Sequence, residues 1–373
     1  MNFNKVPERI NDLQTCYFWY FGTEPDDELR SLIREDQMLV VGCPNSCPKL
    51  ITDFNQAGGL VLLYISIYKA PIIEAVPDGW STWQGGSPDR SSAQANPFWN
   101  AVQLGEHPDW ILRNEQGQPS QPFEDPNYMP GWYQTTSLAK GYCEAVSIGI
   151  EAVASDRRFN GIMCDNFHPN SRHSTLLKNG EFQAADMKAH KKAFYSLARS
   201  IRQTGNNVAN RYFWIVTNGG LVCDSTDQQI SDAIIIESFI YSWAWPGSSM
   251  DDQQALDKLK SATMLSGRGG RLIALPYFGF SGNNIIADAR RVRRLTDQAG
   301  AIFSDMFTLA RPAMVSTFAR RNWEKQSGQE GMQNPPALKA LQNEVQGDCN
   351  VAKEVYRVSA SRNIPGDQRT AKL

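Results

Sequence analysis

Eight short apolar runs recur along this chain, most of them separated by stretches of helical period. In order they are "TCYFWYFG", "QMLVVG", "GLVLLYISIY", "GIMCDNF", "YFWIVTNGG", "DAIIIESF", "RLIALPYFG" and "AIFSDMF". Apolar runs without alternation suit parallel strands covered on both faces. Eight such strands within about 300 residues predict an α/β protein of the (β/α)8, or TIM barrel, type. A doubly wound sheet is the competing architecture. It calls for a glycine-rich phosphate turn after the first strand, and "YFGTEPDD" is not GxGxxG.

The intervening segments read as helices with recognisable ends. "EPDDELRSLIRE" and "CPKLITDFNQAG" follow the first two strands. "ADMKAHKKAFYSLARSIRQTG" is amphipathic through Phe194, Leu197, Ala198 and Ile201, with Gly205 as its stop. "SMDDQQALDKLKSATML" reads as a helix with a Ser cap. The barrel is expected over residues 1–311, with a long Trp-rich insertion at 69–133 after the third strand. In that insertion "HPDWILRNEQGQP" reads as a hairpin turning at "EQGQ". Residues 312–373 are expected to form a C-terminal helical extension packed on the barrel, ending in a frayed tail.

Composition narrows the function classes. The 373 residues are 41% apolar, and the net charge is −2 with acids and bases interspersed. No basic block suits nucleic acid, and no polybasic or long apolar segment suits a membrane. The N-terminal stretch shows no secretory signal pattern, so the expectation is a soluble protein, cytoplasmic, phage-associated or exported without a recognisable signal. No cofactor and no metal centre are predicted. Among seven cysteines only Cys43 and Cys47 are close together, and no second pair supplies the remaining zinc ligands. His107 likewise lacks a His at ligand spacing.

The strand ends carry the chemistry, because barrel active sites are built there. Read in order, those ends give Tyr20, Tyr64 to Tyr68, Asp165 with Asn166, Asn218, Glu237, Tyr277 and Asp305. Asp165 and Glu237 each break an apolar run. A buried acid without a partner is costly, so each is paired, hydrogen-bonded, protonated or capping the next helix. Two acids on different strands of one closed barrel converge at its mouth, which suits a general acid with a nucleophile or base. Asp305 is either a further rim acid or an ion-pair partner, and His168 is either a substrate contact or a surface residue. "YFGFSGNN" after the seventh strand has glycines for an anion nest but no Lys or Arg, and reads as a turn plus helix cap.

Ten tryptophans are present, five of them between Trp80 and Trp132. Two readings stand side by side: stacking platforms for sugar rings, or a small aromatic core within the insertion. Candidate platforms are Trp80, Trp83, Trp99, Trp110, Trp243 and Trp245, the last two favoured because they follow Glu237 closely.

The order "HPDWILRNEQGQP", helix, "RFNGIMCDNF", "WIVTNGG", "DAIIIESF" resembles barrel-type glycoside hydrolases, including the endo-α-1,4-polygalactosaminidase group. The resemblance spans roughly Thr15 to Leu309. It implies a (β/α)8 fold and hydrolysis or binding of a polysaccharide. By position it implies Asp165 as nucleophile or electrostatic partner and Glu237 as acid/base.

The expected function is therefore cleavage of glycosidic bonds in an oligo- or polysaccharide. Asp165 is the carboxylate kept ionised by polar donors, and Glu237 the acid whose apolar burial favours its protonated form. Tyr20, Tyr64, Asn166, His168, Asn218, Trp243, Trp245, Tyr277 and Asp305 are the candidate substrate contacts. The alternative is a carbohydrate-binding barrel without catalysis, part of a larger assembly such as a phage tail, with a protein partner not identified by the sequence. A metal-dependent lyase or isomerase is disfavoured by the short supply of ligands.

Overall fold

The computed structural model describes residues 8–19, 24, 27–78, 90–113, 117–121, 130–165, 167, 184–218, 230–237, 239–240, 250–266, 270–276 and 285–305. Eight parallel strands close into a barrel. They are β1 (Thr15–Trp19), β2 (Gln37–Val41), β3 (Leu60–Ser66), β6 (Gly161–Asp165), β7 (Trp214–Asn218), β8 (Ala233–Glu237), β9 (Arg271–Leu275) and β10 (Ile302–Asp305), with β10 returning to β1. The short strands β4 (Lys69–Pro71) and β5 (Trp132–Gln134) form a separate antiparallel pair in the insertion. The (β/α)8 expectation holds, and all eight apolar runs became barrel strands.

The runs are continuous because both strand faces are covered. On β3, Leu60 and Leu62 belong to the core inside the barrel, while Val61, Leu63 and Ile65 pack outward against the helices. The outer layer includes α1 (Asp27–Arg30), α2 (Pro48–Gln56), α5 (Tyr142–Ser155), α6 (Ala184–Ala209), α7 (Asp252–Ser266) and α8 (Ile285–Ala299). No helix among the described residues is long and apolar enough to cross a membrane.

The register of β6 is fixed at its first residues. Asn160 Oδ1 accepts the Val61 N–H at 2.7 Å, and the Asn160 carbonyl accepts from Trp214. Gly161 follows because a Cβ there would lie 1.9 Å from the Trp214 carbonyl oxygen. Four residues later the strand delivers Asp165, opposite Ser66 of β3.

Polar networks secure the N-terminal end of the barrel, where conservation of shape rather than chemistry is at stake. Asp232 is wholly buried and accepts from Arg202 at 3.1 Å, from the Tyr212 hydroxyl and from the Ile215 N–H at 2.7 Å. Burial, with the Asp232 charge adding to it, pushes the Tyr212 hydroxyl pKa up. Arg271, at the start of β9, donates to the carbonyls of Asn11, Leu13 and Gly300 and so ties the chain ends at the β1–β10–β9 seam.

Several local expectations are corrected. Helix α6 does not stop at Gly205 but runs to Ala209 and ends at Asn210, whose φ of 49° is left-handed. Gly205 instead lets the helix approach Phe213, whose ring would lie 2.3 Å from a Cβ. The helix over "EPDDELRSLIRE" shrinks to Asp27–Arg30, because Gln37 Oε1 takes the Arg34 N–H in a turn leading to β2. The cap of α7 is Asp251 rather than Ser: Asp251 Oδ1 accepts from Gln254 N while Gln254 Oε1 accepts from Asp251 N, a reciprocal capping box.

The insertion settles the tryptophan question for its described members. Trp99 lies on α4 (Pro97–Val102), which follows α3 (Arg90–Ala95); it is 1% exposed and meets Trp132 edge-to-face at 4.6 Å. Trp110 donates its indole N–H to the Lys140 carbonyl at 2.9 Å and packs edgewise on Tyr142. Trp99 and Trp110 are therefore core residues, not sugar platforms. The surface they would have offered is spent on α5, where Gly149 makes room for Phe98. Arg113 bridges Pro119 as the hairpin reading requires, although His107 to Trp110 is a helical turn. Trp80, Trp83, the "YFGFSGNN" loop and the 312–373 extension lie outside the described residues.

Candidate active site

Four neighbouring strands end in polar residues on the inward face: Tyr64 and Ser66 on β3, Asp165 on β6, Asn218 on β7 and Glu237 on β8. Inward-facing residues recur at every second position. Hence the face that buries Leu62, Met163, Val216 and Ile235 ends in this polar set at the C-terminal rim.

Asn218 joins the two acids. Its Nδ2 donates to Asp165 Oδ1 at 2.9 Å and to Glu237 Oε2 at 3.1 Å. Held by one planar NH2 group, those oxygens lie about 5 Å apart, and two such bonds end to end cap the separation at about 6 Å. The second oxygen of Asp165 accepts from the Tyr64 hydroxyl at 2.9 Å. Asp165 is thus half-buried and takes a donor on each oxygen.

Tyr64 is itself braced from the insertion. Asn96, fully buried, donates from Nδ2 to the Tyr64 carbonyl at 3.2 Å and accepts the Phe98 N–H at 3.0 Å as the cap of α4. The Trp99 ring meets the Tyr64 ring edge-on at 6.3 Å.

The expected site residues divide as follows. Tyr64, Asp165, Asn218 and Glu237 come together. Glu237, however, is exposed, so the apolar burial expected of it is absent: its strand run ends in the open mouth. Tyr64 and Asn218, expected as substrate contacts, hydrogen-bond the acids. Asp305 ends β10, two strands beyond Glu237. Tyr68 leaves the rim and is buried beside His190 of α6, ring centroids 5.6 Å apart. Burial raises the Tyr68 pKa and lowers that of His190. Tyr20, Asn166, His168, Trp243, Trp245 and Tyr277 lie outside the described residues. Ser66 was missed; a single polar residue inside "LVLLYISIY", two positions after Tyr64, was the available signal.

Cys43 and Cys47 are buried free thiols, with the Cys47 thiol donating to the Cys43 carbonyl. Burial pushes the Cys47 thiol pKa up.

No family model matches the chain, and no curated protein matches it. Among solved structures, it is similar to the glycoside hydrolase domain of PelA from Pseudomonas aeruginosa at 13% identity, covering 79% of this chain and 95% of that one, TM-score 0.48. It is also similar to Aspergillus fumigatus Ega3 in complex with galactosamine at 10% identity, covering 83% and 97%, TM-score 0.46. Isomaltulose synthase from Klebsiella sp. LX3 matches at 8% identity, covering 95% and 84%, TM-score 0.52. At 8% identity the likeness to isomaltulose synthase speaks for the fold alone.

Proposed function

We propose that this protein is a glycoside hydrolase acting on an oligo- or polysaccharide, with Asp165 as nucleophile and Glu237 as acid/base. The observation that carries the reading is the Asn218 amide, which donates to one oxygen of each acid and so keeps those two oxygens about 5 Å apart at the end of the barrel strands. That separation suits a retaining mechanism, since an inverting pair leaves room for a water at about 6.5–9.5 Å. Glu237, in the open mouth, protonates the glycosidic oxygen as the bond to the anomeric carbon breaks. The Asp165 side chain, oriented by Tyr64 and Asn218, attacks that carbon as a carboxylate to give a glycosyl ester. Glu237, now a carboxylate, takes a proton from water, the water displaces Asp165, and both groups return to their starting forms. In this reading the catalytic barrel falls within residues 1–311.

The test is hydrolysis of a polysaccharide panel by wild type, Asp165→Asn and Glu237→Gln, with the anomer of the first product read by NMR. Glu237→Gln is expected to lose about 10²–10⁴-fold and Asp165→Asn at least as much. A retained anomer is expected. Glycan binding without cleavage by the wild type would establish a carbohydrate-binding barrel instead, and full activity in either variant would remove that residue from the mechanism.

A further inference from the structure

Ser66 is the last residue of β3 and lies opposite Asp165 in the ladder. Its inward face follows from strand alternation, one step above Tyr64. It is 1% exposed, and its Oγ has no hydrogen-bond partner among the described residues. Leaving a buried hydroxyl unpaired costs stability, and alanine would fill the position without that cost. Folding of the described residues therefore gives no reason for a hydroxyl here, as expected of a group kept for a ligand.

We propose that Ser66 is a specificity-determining residue whose hydroxyl bonds a hydroxyl or amine of the sugar ring attacked by Asp165; this rests on the glycosidase reading above. The strand order β3, β6, β7, β8 puts Asp165 between Ser66 and Glu237. Glu237 protonates the leaving oxygen, so the departing part of the glycan lies on its side. Ser66 meets the opposite side, the ring that stays on the enzyme as the ester. Nearly covered at the end of β3, it has room for no more than one ring substituent. A serine hydroxyl both donates and accepts, so it pairs equally with a ring hydroxyl or amine.

The experiment measures kcat/KM and melting temperature for the full chain as wild type, Ser66→Ala, Ser66→Cys and Asp165→Asn, on the glycan cleaved in the panel. Ser66→Ala is expected to lower kcat/KM about tenfold, or about 1.4 kcal/mol of transition-state stabilisation. Its melting temperature is expected to equal or exceed that of wild type, because the unpaired hydroxyl is gone. Ser66→Cys, close in shape but a weak hydrogen-bonding group, is expected to fall with alanine. Activity of Ser66→Ala within twofold of wild type, or a melting temperature lowered in step with activity, overturns the proposal while leaving the Asp165 assignment standing. A wild type that cleaves no glycan removes the glycosidase reading and this role together.

Discussion

Replacing Asn218 by aspartate exchanges a donor for an acceptor at nearly constant shape, and so tests the convergence of the two acids without a substrate. The new carboxylate would face Asp165 Oδ1 at the 2.9 Å now spanned by the amide. Two unit charges at that distance repel by about 6 kcal/mol at an effective dielectric of about 20, suited to a half-buried site near the surface. Glu237 is exposed, so its contact is screened and is left out of the sum. Keeping one proton on an aspartate at pH 7, against an unfolded pKa of about 3.9, costs about 4 kcal/mol. The repulsion is larger, so the variant holds a proton at neutral pH. Its folded-state pKa is then raised above the unfolded value. The native state binds more protons than the unfolded one, and stability falls as pH rises above about 4. The cost grows by about 1.4 kcal/mol per pH unit, from about 1.5 at pH 5 to about 4 at pH 7. Relative to wild type, the melting temperature should drop by a further 5 °C or so across that range. Asn218→Ala removes the donor and adds no charge, so it should show a much flatter difference. Thermal melts by circular dichroism between pH 5 and pH 8 decide the matter. Coincident pH trends for the two variants would mean that Asp165 does not face residue 218.

Gly161→Ala should destabilise the barrel by about 3 kcal/mol or more, because its Cβ meets backbone rather than a movable side chain; denaturant unfolding measures it. Asp232→Ala strips the partner from a guanidinium that is 11% exposed and should cost about 3–5 kcal/mol in the same assay, with the rim chemistry unchanged. Burial lowers the His190 pKa, so the unfolded chain takes up that proton first as pH falls. The stability His190 contributes is present above about pH 6.5 and lost below it, and His190→Gln should flatten that acid-side decline in thermal melts.

The barrel was legible because its signal is redundant. Eight runs had to be buried on both faces, and no single misread boundary changes that count. The acids were legible for a related reason: a carboxylate ending "GIMCD" or "AIIIE" is costly unless it faces a site. What the sequence withheld depends on distant partners. The roles of Tyr64 and Asn218 came from who receives their protons, and Gly205 was read as a stop when its neighbour Phe213, packed across the chain, required a bare backbone. Trp99 and Trp110 occur in loop-like sequence, yet α5 gives them a surface to cover. Glu237 was expected to be buried because its run is apolar, but the strand ends where the mouth opens.

Asn96 has a consequence for how this barrel can change. One side chain begins α4 and grips the backbone of Tyr64, whose hydroxyl steadies Asp165. The insertion and the acid are therefore linked in series, like a lever and its load. Remodelling the segment between β3 and α5 reaches the Asp165 carboxylate without touching the barrel wall, and the amide of Asn218 carries the link on to Glu237.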